Sequence, residues 1–588
     1  MSSAGNMPWP LEPVLDMDDI QGIAVPGFLK PHQILLGIRY QRKEADMASL
    51  RTLLAKLTPD ISTAADTLRD RREHRQLAKS PSSKSSDQKQ KTVFPPLVAI
   101  GFGYQGLFDL AVGAALIPSV AYKNGMVARS ALLGDSTTPG TPGNPTTWSV
   151  GKPSEELDIL VVVAGDDRKS VRLRADEIVK AFVATGAKVN EQVGNVRDDV
   201  EGQVGHEHFG FDDGVSQPGV RGRASGADDD FITDRYVDRS QFPAAALYGY
   251  PGQDLVWPGE FVIGYPQTGP DPLIPGPVLE PSPWWMRNGS YLVYRRLLQD
   301  VGLFWRTMRD EAERLSTLPG FDKMDEKTLA SRLVGRWPSG APVNRVPEGD
   351  DEDLGENSFA NNHFRFDSNT HALKLIGGKD PFPQAEADPV GRTCPLAAHI
   401  RKVNTRDAPS DMGGRSSTYE RRLLRVGVPF GPSLKNRYAR KVEGEPERGL
   451  LFLSIQSSIE EQFEFLQARW INDESRPKAP SGHDMIVGQN AAAADGVRRC
   501  GIFGKGLQQA RVEADGEFVT ASGGGYFFVP SITALGTVIA GTQPALSVQL
   551  SADHRLEGVS PDKDLPKVAR KTSSGRKTSS GRKARGKR

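Results

Sequence analysis

Apolar residues in the first 200 positions fall into short runs set apart by polar, turn-rich stretches. The run ILLGIRY, Ile34 to Tyr40, reads as a strand, and Asp46 to Leu57 repeats its apolar positions at helical spacing. Strand-like runs recur at Leu97 to Gly101 and Leu157 to Val163, and a helix is predicted from Val171 to Thr185. Between them, Arg71 to Lys91 is charged, rich in Ser, Lys and Gln, and aperiodic, which predicts a mobile insertion. Both element types mix without regular β-α alternation, so the pattern predicts an α+β domain ending near Ser225. A middle full of Pro, Gly and Trp follows, with a long helix predicted to start after Asn288 in NGSYLVYRRLLQDVGLFWRTM. In the last third, Leu450 to Ile455 reads as a strand and SSIEEQFEFLQARWI as a helix. That order echoes Ile34 to Leu57 and suggests a faint internal duplication.

The 588 residues exceed what one hydrophobic core comfortably serves, so two domains are expected: 1–225 and 226–555. A tail, 556–588, completes the chain. From Lys567 onward it carries ten Lys or Arg and no acid, in a short repeat without an apolar anchor, and is expected to be disordered. Without those ten, 64 basic face 73 acidic residues, so the net charge of +1 hides a body near −9. Such a tail suits an anionic partner, nucleic acid included, or simple solvation. Two cysteines, Cys394 and Cys500, exclude a disulfide framework or a thiolate cluster. No apolar run approaches the ~18 residues of a membrane span, and the acidic start lacks the features of a secretory signal. A cytoplasmic location is the resulting expectation.

Gly101, Gly103 and Gly106 spell Gly-x-Gly-x-x-Gly, yet no suitable acid follows ~20 residues later to hold a ribose, so a dinucleotide site is not expected. In GHEHFGFDDGVSQPG, Gly205 to Gly219, two chemistries compete. His206 and His208 with Asp212 or Asp213 could hold a divalent metal, although no further ligand stands at metal-site spacing. Alternatively, Gly214 allows a tight turn that presents the Asp213 carboxylate to a cavity.

The run Gly210-Phe211-Asp212-Asp213-Gly214, followed by Ser216-Gln217-Pro218, resembles the Gly-x-x-Asp-Gly signature of dye-decolorising peroxidases, in their longer bacterial and fungal branch. CPLAAHIRKVNTRD, Cys394 to Asp407, is similar to the segment bearing that family's proximal haem ligand, which falls on His399. RRLLRVGVPFGP resembles the family's distal-arginine segment and aligns Arg425 with it, with Gly427 where some relatives carry Asn. RGLLFLSIQSS resembles the strand lining the distal pocket, through Leu450 and Phe452. SGHDMIVGQ resembles the segment supplying an acid to the proximal histidine, here Asp484, with Glu460 or Glu461 as rivals. Shorter resemblances (DIQG, FVIGYP, NGSYLVYRRLLQDV, VGRWPSG) extend the likeness over most of Asp19 to Leu550.

The resemblance implies two ferredoxin-like domains with antiparallel sheets and peripheral helices, and haem b in the C-terminal one. It implies a peroxidase that reduces hydrogen peroxide and oxidises dyes, phenols or other bulky reductants singly through a ferryl intermediate. His399 would ligate the iron. Asp213 would move a proton, Arg425 would stabilise charge, and Arg401, Asn404 or Arg406 would serve the haem propionates. A homo-oligomer is implied too. Surface Trp or Tyr would carry electrons, and the 8 Trp and 12 Tyr leave that choice open. Of Arg421 and Arg422, a surface position in a basic run is the reading. Rival functions are a haem carrier or iron-releasing protein on the same scaffold, a tail-dependent nucleic-acid binder, and a metal hydrolase built on His206, His208 and Asp213.

Overall fold

The computed structural model describes residues 9–79, 94–200 and 202–541. Eight antiparallel strands form one continuous sheet. In chain order they are β1 (His32–Arg39), β2 (Leu97–Phe102), β3 (Ile159–Gly165), β4 (Lys188–Asn195), β5 (Ser290–Gln299), β6 (Leu424–Phe430), β7 (Gly449–Gln456) and β8 (Val519–Val529). Their order across the sheet is β6-β7-β5-β8-β2-β3-β1-β4. Within each half the fourth strand lies beside the first, and the third separates the first from the second. That is the ferredoxin-like β-α-β-β-α-β arrangement, made twice by one chain. The halves join at Phe528 of β8 opposite Phe102 of β2. The duplication hinted at by two strand-helix pairs is therefore a duplication of topology, with β1–β4 inside residues 1–225 and β5–β8 inside 226–555.

Both faces of the sheet are covered, which is why its inner strands read as unbroken apolar runs instead of alternating ones. Along β3, Ile159, Val161 and Val163 join the core on one face, while Leu160, Val162 and Ala164 join the core on the other. The first face is packed by α1 (Glu44–Leu57) and α3 (Arg168–Ala184). Buried Val171, Ala175, Ile178 and Phe182 recur along α3 at helical spacing, and Asp167 caps it by accepting from the Ser170 N–H at 2.8 Å.

Two sequence expectations are corrected. Ser290–Gln299 is a strand, and the helix after it, α4 (Val301–Ser316), begins only at its cap Asp300. With Tyr291 and Val293 in one core and Leu292 and Tyr294 in the other, the strand has no polar face to reveal its period. Arg71 to Lys79 belongs to helix α2 (Ala64–Lys79). Its charges have distant partners: Arg72 pairs with Asp230 at 2.7 Å, and Arg71 donates to the carbonyls of Pro26 and Gly27. The rest of that predicted insertion, and the tail, lie outside the described residues.

The Gly-x-Gly-x-x-Gly run has a packing cause. A Cβ on Gly103 or Gly106 would collide with the carbonyl oxygens of Leu157 and Asp158, so the helix after β2 can approach β3 only if these positions are bare. No helix among the described residues is long and apolar enough to cross a membrane.

Candidate active site

The turn through Gly214 places Asp213 against strand β6. Gly214 has φ +83°, which an L side chain rarely adopts, and its N–H donates to Asp213 Oδ1 at 2.7 Å. Arg425, near the start of β6, donates to the same Oδ1 at 2.9 Å, leaving Oδ2 without a strong donor of its own. Strand β6 is a sheet edge, and Gln217 serves as part of its missing neighbour. The Gln217 carboxamide donates to the Arg425 carbonyl at 2.7 Å and accepts from the Arg425 N–H at 3.4 Å. Gly427 lies opposite Phe452 in β7, and a Cβ there would overlap Asp213 Oδ2 and Leu450. The glycine is thus what admits the carboxylate. Alternation along β7 sends Leu451, Leu453 and Ile455 into the core, while Leu450 and Phe452 line the cavity.

A second group of elements meets the same cavity. His399 opens the short helix His399–Val403, and its Nδ1 lies 2.7 Å from Asp484 Oδ2. Asp484 is fully buried. Burial alone would push its carboxyl up, but the His399 imidazole and the N–H groups of Val487 and Ile486 outweigh this and hold it below the usual carboxylate range. Glu460 and Glu461, the rivals, are committed elsewhere: Glu460 accepts from Ser119 and Ala121, and Glu461 pairs with Arg421 at 2.6 Å.

The cavity has a volume of about 240 Å³ and opens to solvent. It brings together Asp213, Arg425, His399, Asn404, Arg406, Leu450 and Phe452. Arg401 is not among its lining residues. It is buried against Phe366, donating to the Cys394 carbonyl at 2.9 Å and the Asp388 carbonyl at 2.8 Å, so its expected contact with a cavity-bound group is corrected. Arg421 and Arg422 are corrected in the other direction, since both are buried and line the cavity. Arg336, within VGRWPSG, lines it as well and was not singled out from the sequence, although its segment was. Arg336 and Arg406 donate to backbone carbonyls and to Asn362, and neither forms an ion pair among the described residues. Burial, then mutual repulsion, lowers Arg336 to about 9; burial lowers Arg406 to about 10.

His206 and His208 do not converge on a metal. His208 Nε2 is 2.9 Å from the Phe430 carbonyl, and burial lowers this imidazole to about 4. Among the described residues the metal-like grouping is Asp70, His74 and Asp166, where the Lys30 ammonium already bonds both carboxylates.

Known proteins carry the same architecture. Residues 19–198 match the DyP dimeric alpha+beta barrel domain. The solved structure of an ancestral D-type dye decolorizing peroxidase superposes with a TM-score of 0.67 at 30% identity, covering 89% of this chain and 98% of that one. The dye-decolorizing peroxidase AauDyP1 of Auricularia auricula-judae is 29% identical over 536 residues, 89% of this chain and 86% of its own. The multifunctional dye peroxidase DyP2 of an Amycolatopsis species is 28% identical over 539 residues, 88% and 95% of the two chains. Fold and relatives together define a peroxidase on an α+β scaffold. The chain belongs to the dye-decolorising peroxidase family.

Proposed function

We propose that the protein is a haem b peroxidase that reduces hydrogen peroxide and takes electrons singly from dyes, phenols or other bulky reductants. The observation that carries this reading is the meeting, in one cavity, of an imidazole tied to a buried carboxylate with an aspartate–arginine pair.

The residues present fit the group. With Nδ1 committed to Asp484, His399 would hold the haem iron through Nε2, and the carboxylate behind it would strengthen the imidazole as a donor. Leu450, Phe452, Leu466 and Val487 offer apolar surface for a porphyrin. Arg336 and Arg406, gathered without counter-ions, suit its carboxylate edge. Bound there, haem b supplies the redox chemistry, namely reduction of peroxide and stepwise oxidation of the donor.

The chain's own task is to position peroxide and handle one proton. Asp213 takes that proton at Oδ2, since Oδ1 is held by Arg425 and by the Gly214 N–H, and returns it to the oxygen that leaves as water. Arg425 fixes the carboxylate and sets a positive charge beside the separating oxygens.

The absorption spectrum of the purified protein, before and after one equivalent of hydrogen peroxide, tests the reading. A Soret band that shifts with peroxide and returns on adding a dye is expected. A colourless protein, or a haem band indifferent to peroxide, rejects it. His399→Ala should lose the Soret band, and full haem loading of that variant would remove His399 as ligand.

A further inference from the structure

Arg421 lines a second cavity as well as the first, so the two are neighbours. This one has a volume of about 640 Å³ and opens to solvent. Its charge is one-sided: Glu260, Glu280, Glu420, Glu460 and Glu461 face Arg421, the one cationic side chain lining it among the described residues. Arg421 is already neutralised, donating at 2.6 Å both to Glu461 Oε2 and to the Glu461 carbonyl. Glu460 is held by Ser119 Oγ at 2.8 Å and the Ala121 N–H at 2.7 Å. Glu280 is exposed, and Glu420 has only a long 3.9 Å contact with Arg421, so these two carboxylates are the ones placed to meet a ligand.

On the cavity wall one buried polar group lacks a partner. Ser457 Oγ meets no hydrogen-bond partner among the described residues, although Ser457 is only 2% exposed, whereas the Thr268 and Tyr291 hydroxyls face Glu260 and Ser119. A buried hydroxyl left unsatisfied is costly, so Ser457 marks where another molecule's polar atom belongs. Burial raises the neighbouring Glu260 carboxyl to about 7, which lets it donate or accept near neutrality. Ile263, Leu279 and Met286 supply an apolar wall. The carboxylates do not converge as metal ligands, since the grouping that does lies elsewhere.

We propose that this cavity binds a small organic cation, a protonated amine on an aromatic body. Glu280 and Glu420 hold the ammonium, and the Ser457 hydroxyl bonds a polar group at the other end. Anions of the same shape are repelled. Because Arg421 lines both this space and the other cavity, such amines are reductants that dock here. That last step rests on the peroxidase reading, and the binding does not.

Calorimetric titration of the full-length haem-loaded protein tests the proposal, with tyramine as cation and 4-hydroxyphenylacetate as its anionic counterpart. Tyramine is expected to bind at one site that weakens with salt, and the anion is expected to give no saturable heat. The pair E280Q/E420Q should weaken tyramine about tenfold, equivalent to ~1.4 kcal/mol. S457A should weaken it about threefold with an unchanged haem spectrum, which separates lost contact from lost fold. Equal binding of both compounds overturns the proposal. So do wild-type affinity in both variants, and Mn2+ binding lost in E280Q/E420Q while tyramine never binds. Tyramine binding without any peroxide turnover would sink the peroxidase reading and leave this site standing.

Discussion

The two halves of the sheet share one topology and differ in what the helix after the third strand does. In the first half, α3 buries Val171, Ala175, Ile178 and Phe182 in the core against the strands. In the second half the corresponding segment, Ile459 to Ile471, is wound as π-helix, and Phe463, Leu466, Gln467 and Ile471 line the same cavity as the side chains of β6 and β7. A closed core became an open one without a change in strand order. π-Turns are uncommon and gather at functional sites, and here they coincide with the half that has room for a prosthetic group.

This contrast can be broken most directly in the closed half. Phe182→Ala should cost about 3–5 kcal/mol of unfolding free energy, since the side chain is fully buried and the space cannot readily collapse. Denaturant titration that finds under 1 kcal/mol would mean α3 is not the packed counterpart proposed. In the open half, Arg425→Leu should slow the stopped-flow reaction with peroxide about 10²–10³-fold while leaving stability close to wild type. An unchanged rate would take Arg425 out of peroxide chemistry.

Gly427→Ala is a subtler probe, because its new methyl group competes with Asp213 Oδ2 and Leu450 for one space. A peroxide rate about tenfold lower, with the Soret band intact, is expected. Wild-type rates would show that Asp213 has freedom to move. The smallest effect concerns acid. The Asp484 carboxyl is held below its ordinary value, so its contribution to stability is present above the unfolded pKa, near ~4, and is lost as pH falls through the lower folded value. Thermal melts between pH 6 and pH 3 should show less acid destabilisation in Asp484→Asn than in wild type, and parallel pH profiles would contradict the coupling.

Much of the frame was legible from local pattern. The runs at Ile34, Leu97 and Leu450 are strands, the run at Leu157 becomes one from Ile159, Asp46 to Leu57 lies within a helix, and Val171 to Ala184 within another that Thr185 caps. Ser290–Gln299 misled because a strand buried on both faces shows no alternation, and its Arg295–Arg296 pair looks like the polar face of a helix. Arg295 is instead buried against Asp135 at 2.6 Å, a partner 160 residues away that no window could reveal. Arg421 and Arg422 misled for the same reason: a basic run looks solvated until its counter-charges, Glu461 and Asp254, are known.

The chain's own order of residues determined which segments are strands, where turns need glycine, and which motif residues could carry chemistry, because those depend on neighbours a few positions away. Tertiary structure alone decided that Arg401 turns from the cavity while Arg336 enters it, and that Asp484 rather than Glu460 or Glu461 meets His399. Those outcomes depend on burial and charge pairing, and both are set by segments tens to hundreds of residues apart along the chain.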